Sequence, residues 1–145
     1  MIRRLIVALV VLLLAGAVAF AQGPLTPAAA VTSTVYDGVT PLVPRYAVID
    51  TAASGDTQIV AGVSGYKIRV LAGHFTMTGT AVTIRFEDTA GGTALTGQMT
   101  PSQGQTIPLP FNPVGWFETS AGNTLSLELG GGQSVDGSLV YVLVP

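Results

Sequence analysis

The sequence predicts an all-β domain: an antiparallel β-sandwich of about eight strands with jelly-roll-like connections, preceded by a hydrophobic N-terminal segment. Residues 125–129 (LSLEL) alternate leucines with Ser126 and Glu128, which predicts a strand with one buried and one polar face. Residues 139–144 (LVYVLV) are apolar at every position, as expected for a strand covered on both faces. Similar short runs, separated by Gly, Pro, Asn and Asp and without helical periodicity, fill residues 45–145.

Each predicted strand has alternating or continuous apolar residues and ends at turn residues. In chain order the strands cover residues 45–52, 57–63, 66–77, 81–87, 93–99, 106–111, 125–129 and 139–144. In the first strand, Tyr46 and Val48 lie on the face opposite to Ile49. Pro108 and Pro110 make the sixth strand an edge strand or an extended rim segment, because proline cannot donate a hydrogen bond to a neighbouring strand.

Two irregular points are predicted within this order of strands. In the third strand the inward positions change parity between Ile68 and Phe75, which requires a bulge or bend, and residues 72–73 (AG) are the natural place for it. The last two strands are joined through residues 130–132 (GGG) and a turn at residues 136–137 (DG).

The N-terminal segment has the three parts of a secretory signal peptide. Arg3 and Arg4 give a positive start, residues 5–20 are apolar, and residues 19–21 (AFA) match a small-x-small cleavage site. As a helix the apolar run of about 16 residues is roughly 24 Å long, shorter than a ~30 Å hydrocarbon core. We therefore predict cleavage after residue 21, and an uncleaved anchor helix over residues 1–21 is the alternative.

Residues 22–44 predict an extended Pro- and Ala-rich arm that precedes the β-sandwich domain of residues 45–145. The first part of the arm, QGPLTPAAAV, has no periodicity and is typical of a linker. Residues 32–36 predict a short strand that ends at Asp37-Gly38. Pro41 keeps the next piece out of the centre of a sheet.

Composition argues against two classes of protein. The chain has 6 Lys and Arg against 8 Asp and Glu, and only 10% of its residues are charged. Nucleic-acid binding normally needs clustered basic residues, so no nucleic-acid partner is expected. The absence of cysteine excludes a disulfide framework and a thiolate metal site. The membrane is a partner only through residues 1–21, if they are not removed.

The sequence offers no catalytic constellation, and we expect a protein that is not an enzyme and has no cofactor or metal. His74, the only histidine, lies within a predicted strand, and we interpret it as a structural or rim residue and not as a metal ligand or a base. Glu87 and Glu118 could form a glycosidase-like pair, but they are more simply solvated charges at strand ends. A Ca²⁺ site has no supporting D-x-D-x-D-G motif, and most of the aspartates lie at predicted turns, where aspartate is favoured. The aspartates of the chain are Asp37, Asp50, Asp56, Asp88 and Asp136.

Trp116 and Phe117 form the most conspicuous aromatic pair in the chain. The favoured interpretation is that Trp116 plugs the core, in which case Trp116→Ala would lower the free energy of unfolding by about 3–5 kcal/mol. The alternative is an exposed aromatic platform for sugars, whose loss would abolish ligand binding without changing the melting temperature.

Five segments together resemble a group of small β-sandwich proteins found among the structural genes of tailed phages. In chain order they are SGDTQIV, GYKIRVLAGHFTMTGTAVTIRFED, GTALTG, IPLPFNPVGWFETSAGNTLSLELG and VDGSLVYVLV. The most distinctive part is residues 112–119 (NPVGWFET), and the resemblance covers residues 45–145. It marks a candidate interaction or core motif formed by Asn112, Pro113, Gly115, Trp116, Phe117 and Glu118.

The resemblance implies a structural protein: a virion decoration or accessory component that assembles with its own copies or with a capsid or tail lattice. It implies no catalytic residues. The alternative, which the leader suggests, is an exported bacterial β-sandwich in the periplasm or outside the cell. Such a protein would bind glycans, or would form filaments by donating residues 22–36 as a strand to a neighbour.

Overall fold

The computed structural model describes residues 35–38 and 40–145, which form eleven β-strands and no helix. The strands are β1 (Val35–Asp37), β2 (Thr40–Leu42), β3 (Arg45–Thr51), β4 (Gly55–Val60), β5 (Lys67–Met77), β6 (Ile84–Asp88), β7 (Thr93–Ala94), β8 (Thr106–Leu109), β9 (Phe117–Glu118), β10 (Leu125–Leu129) and β11 (Val135–Val144). The predicted leader at residues 1–21 lies outside the described residues, as does the arm up to residue 34. None of the described residues forms a helix that could span a membrane.

The strands form two main antiparallel sheets in a sandwich-like arrangement. The first sheet has the order β3-β11-β5-β8, with β9 also paired to β5, and the second has the order β4-β10-β6-β7. Buried side chains from both sheets form one hydrophobic cluster. Phe75 of the first sheet meets Phe86 of the second edge to face, with ring centroids 5.7 Å apart. The all-β prediction is therefore confirmed, although β2 and β9 were not among the predicted strands.

Alternation along the strands sets which side chains enter the core. In β3, Ile49 is buried whereas Tyr46 and Val48 are exposed, as predicted. In β10, the three leucines are buried as predicted, but Ser126 is also buried. The residue paired with Ser126 on β6 is Glu87, which is buried too, so this part of the outward face is covered as well.

The long strand β5 contains the predicted bulge. Val140 of β11 pairs with Ala72, but the next residue of β11, Tyr141, pairs with Val70, so Leu71 has no opposite residue. The extra residue lies one position before the predicted site, and it produces the change of parity. Leu71 consequently points away from the main core and packs in a second hydrophobic cluster.

The predicted turn at residues 136–137 is wrong, because both residues lie inside β11. The connection between β10 and β11 is completed earlier, within residues 130–134. Gly137 has another role: a Cβ atom there would lie 2.1 Å from the carbonyl oxygen of His74 on β5. The glycine therefore permits a close approach of two strands. In the sequence alone, a glycine that follows an aspartate looks the same as a turn.

The short strand predicted over residues 32–36 is confirmed at residues 35 and 36, which lie in β1, and its first three residues lie outside the described part of the chain. β1 pairs with β2 in a hairpin. Val35 and Leu42 of this hairpin pack with Leu71, Val142 and Val144 in the second hydrophobic cluster. The hairpin thus covers one end of the outer face of the first sheet. Residues 35 and 36 of the predicted donor strand are consequently paired within their own chain.

Candidate functional site

The candidate site is built by residues 110–118, which connect β8 to β9 along the edge of β5. The amide of Asn112 donates to the carbonyl oxygen of Leu71 (2.8 Å), and the amide of Trp116 donates to that of Val70 (2.8 Å). Both acceptors lie at the bulge of β5, so the bulge anchors the loop at two points.

Asn112 organises the turn at the start of this segment. Its carbonyl oxygen accepts from the amide of Gly115 (3.0 Å), and its side-chain Oδ1 accepts from the amide of Val114 (3.1 Å). Its Nδ2 donates to the carbonyl oxygen of Gly115 (2.8 Å). Asn, Pro and Gly at the first, second and fourth positions are the residues that a type I turn prefers, and Pro113 is accordingly exposed at the tip.

Gly115 is required by both its conformation and its surroundings. Its φ of 95° lies in the region that residues with a side chain rarely adopt. A Cβ atom at this position would lie 2.5 Å from Cγ of Arg69. The absence of a side chain lets Arg69 pass beneath the loop.

Trp116 does not plug the core, so the favoured interpretation of this residue is wrong. Its side chain is 47% exposed, and its Nε1 donates to the carbonyl oxygen of Pro110 (2.8 Å). The next residue, Phe117, takes the core position and stacks on Phe86 with ring centroids 5.0 Å apart. Two consecutive residues of an extended chain point to opposite faces, so only one of the pair can enter the core.

Glu118 lies on the same face as Trp116 and forms two ion pairs. Its Oε1 accepts from Nζ of Lys67 (3.0 Å), and its Oε2 accepts from Nε of Arg69 (2.9 Å). Burial alone would raise the pKa of Glu118, but the hydrogen bonds and charges of Lys67 and Arg69 outweigh it and hold the pKa below its ordinary value. Glu118 is therefore an ionised acceptor at neutral pH. Sequence reasoning missed both cations, although alternation with Ile68 and Val70 marks them as outward residues.

Together these residues form an open cleft of about 330 Å³, called here the Trp116 cleft, which is lined by Arg69, Val114, Gly115, Trp116, Phe117 and Glu118. Four of the six residues of the predicted motif line the cleft. Asn112 shapes the adjoining turn, and Pro113 lies at its tip. The motif is therefore one continuous surface feature with its inner side fixed to the core by Phe117.

A second charged cluster lies in the other sheet, where its charged side chains pair with one another. Glu87 is fully buried and accepts from Arg85 (2.7 Å) and from the amide of Gly91 (3.1 Å), so the interpretation of Glu87 as a solvated charge is wrong. Arg85 also pairs with Glu128. Partial burial and a hydrogen bond with Glu87 raise the pKa of Asp56 above its ordinary value. Glu87 and Glu118 belong to different sheets, and each is held by cations of its own sheet.

The other candidate residues are not brought together. His74 is exposed on β5, opposite Pro108 of β8. Asp50 lies within the first strand, as predicted. The four aspartates predicted in turns also lie within strands, at Asp37, Asp56, Asp88 and Asp136. In the described residues, no group of three or more His, Asp or Glu side chains is placed to hold a metal ion.

Comparisons with known proteins give no family for this chain. No protein-family model matches it, and no curated protein matches it. The features that bear on function are the fold, the edges of the sheets and the Trp116 cleft.

Proposed function

We propose that this protein is a non-enzymatic structural subunit: a jelly-roll domain that assembles with copies of itself as a decoration or accessory component of a phage-like virion. The resemblance of residues 112–119 to structural proteins of tailed phages supports the virion assignment, and two features of the fold support assembly. The exported glycan-binding or filament-forming module remains the competing proposal.

The order of the strands supports jelly-roll connectivity. Eight strands divide equally between the orders β3-β11-β5-β8 and β4-β10-β6-β7. When the two-residue β9 of the first sheet is left aside, each of these strands leads to a strand of the other sheet, except that β6 leads to its paired neighbour β7. Two four-stranded sheets linked in this way are the arrangement of double-sheet jelly rolls, a fold used in viral capsids and in lectins.

The observation that carries the assembly proposal is the edge of β3, which no other described strand pairs with. On one side of the domain the edge strands are protected, since β7 has two residues and β8 contains Pro108. On the other side β3 has seven residues and no proline, and its only strand partner in the described residues is β11. A long edge of this kind is a template for pairing with another chain.

The outer face of β3 also suits a contact between copies. Tyr46 is 79% exposed and Val48 is 73% exposed, beside the exposed Asp50 on the same face, whereas the exposed residues of the neighbouring edge strand β4 include no large apolar side chain. Interface cores are depleted of charged residues and enriched in aromatic residues. We therefore assign the contact to β3, with a second copy of the same chain as the partner.

A two-fold axis through Val48 gives the fullest pairing of two β3 strands. In this antiparallel register Val48 faces Val48 of the second copy, and Tyr46 faces Asp50. A slip of one residue would place the exposed residues of one copy opposite the buried residues of the other. The five-stranded first sheets of the two copies would then become one continuous sheet of the assembly.

The location of the protein in its producer tests the virion proposal. Peptide mass spectrometry should compare purified virus-sized particles with the envelope and the medium, using the tryptic peptide of residues 70–85 as the reporter. We expect this peptide to be enriched in particles. A semi-tryptic peptide of residues 22–45 appears only if the leader is cut after residue 21. Reporter in the envelope or medium, with residue 22 at the N-terminus and none in particles, would reject the virion proposal in favour of the exported module.

A further inference from the structure

We propose that the Trp116 cleft binds carbohydrate, a function separate from the assembly of copies through β3. Its volume of about 330 Å³ lies at the lower end of the range of small-ligand sites. It combines one large aromatic face with a few fixed polar groups, and this is the combination that recognises a sugar ring.

The indole of Trp116 supplies the apolar platform. Nearly half of the side chain is exposed, and its only polar atom, Nε1, is already bonded to the carbonyl oxygen of Pro110. The ring is thus held in one orientation, and its free surface is purely aromatic. The face of an aromatic ring carries negative charge density, which attracts the weakly positive C–H groups on one side of a pyranose. Because the platform is fixed before binding, little conformational entropy is lost.

Arg69 and Glu118 supply the polar groups. Arg69 has several N–H donors of which Nε is bonded to Glu118, and the carboxylate of Glu118 has lone pairs beyond the two used by Lys67 and Arg69. Their mutual ion pairs fix these donors and acceptors beside the indole. Hydroxyl groups of a sugar both donate and accept hydrogen bonds, so they match this mixed set.

The charge of the cleft favours carbohydrate over nucleic acid as the ligand. A nucleobase could also stack on an indole, but single-stranded nucleic acid needs a basic groove along its backbone. The cleft and its border contain two cations, Lys67 and Arg69, and one carboxylate, Glu118, which leaves a net charge of +1. With this small positive charge, the cleft is compatible with both neutral and acidic sugars.

The fluorescence of Trp116 gives a direct test, because it is the only tryptophan in the chain. The full-length protein should be titrated with the hexasaccharides of glucose, N-acetylglucosamine and galacturonic acid, and with an oligothymidylate. We expect a saturable change in emission with at least one saccharide, with a Kd of about 1 mM or tighter. No saturable change with any of the saccharides, or a change with the oligothymidylate alone, would overturn the proposal.

Variants then locate the bound sugar. By calorimetry, Trp116→Ala should weaken binding of the responding saccharide at least about tenfold. Glu118→Gln, which keeps the shape of the side chain, should also weaken it. Tyr36→Ala is the control, since Tyr36 is similarly exposed on β1 and lies outside the cleft. Full affinity in both cleft variants, or an equal loss in the control, would overturn the assignment. Far-ultraviolet circular dichroism confirms that each variant is folded.

Discussion

Replacing Phe86 with alanine is expected to lower the free energy of unfolding by about 3–5 kcal/mol. Phe86 is 1% exposed and lies between the two sheets, where it contacts Phe75 edge to face and stacks on Phe117. Its removal leaves a cavity that neither partner can fill, because each is fixed to a strand of the first sheet. It also removes the support beneath the inner side of the Trp116 cleft.

The measurement for Phe86→Ala is equilibrium unfolding in denaturant, with Phe111→Ala as the matched control. Phe111 is half-exposed, so the same substitution there should cost only about 1 kcal/mol or less. Similar losses of stability in the two variants would contradict the assignment of Phe86 to the centre of the core.

Replacing Gly137 with alanine is expected to cost about 3 kcal/mol, although it adds only a methyl group. The new Cβ atom would lie 2.1 Å from the carbonyl oxygen of His74 and 2.7 Å from Cα of Phe75. Both are backbone atoms of β5 and cannot rotate away. The clash is relieved only if β11 and β5 separate along their central contact.

Gly97→Ala provides the control for this substitution. No atom lies within 4 Å of a Cβ built on Gly97, and its φ is outside the left-handed region. The substitution there should leave the free energy of unfolding unchanged or raise it by about 0.4–1 kcal/mol, because alanine reduces the conformational entropy of the unfolded chain. A melting temperature of Gly137→Ala equal to that of Gly97→Ala would contradict the close packing of β11 on β5.

Much of the fold follows from local patterns in the sequence. Alternation identified the buried side of β3 and the leucines of β10, and the change of parity in β5 located its bulge to within one residue. Pro108 correctly placed β8 at an edge. These features depend on the chemistry of neighbouring residues, which the sequence displays directly.

The errors concern contacts between distant segments. Gly137 resembles a turn residue until the carbonyl oxygen of His74 is known to lie against it. Glu87 resembles a solvated charge until β10 is known to pair with β6 and to place the buried Ser126 opposite it. Their burial depends on how the segments pack, which local patterns do not reveal.

In the candidate site, too, local patterns reveal some features and contacts between distant segments determine the others. The motif of residues 112–119 is recognisable in the sequence, but the direction of Trp116 is not, because alternation shows only that Trp116 and Phe117 face opposite sides and not which of them enters the core. Arg69 and Lys67 were missed because they precede Glu118 by about fifty residues and meet it only when β9 pairs with β5.

The central claim, that copies assemble through β3, is tested most directly by a single cysteine in a chain that has none. In the proposed register the two Val48 Cα atoms would be about 4.5–5.5 Å apart, a separation that suits a disulfide bond. Val48→Cys should therefore form a covalent dimer under mild oxidation, at least about tenfold faster than Val114→Cys. Val114 is a fair control because it is 79% exposed and lies away from β3, in the Trp116 cleft. Equal rates of dimer formation in the two variants would contradict assembly through β3.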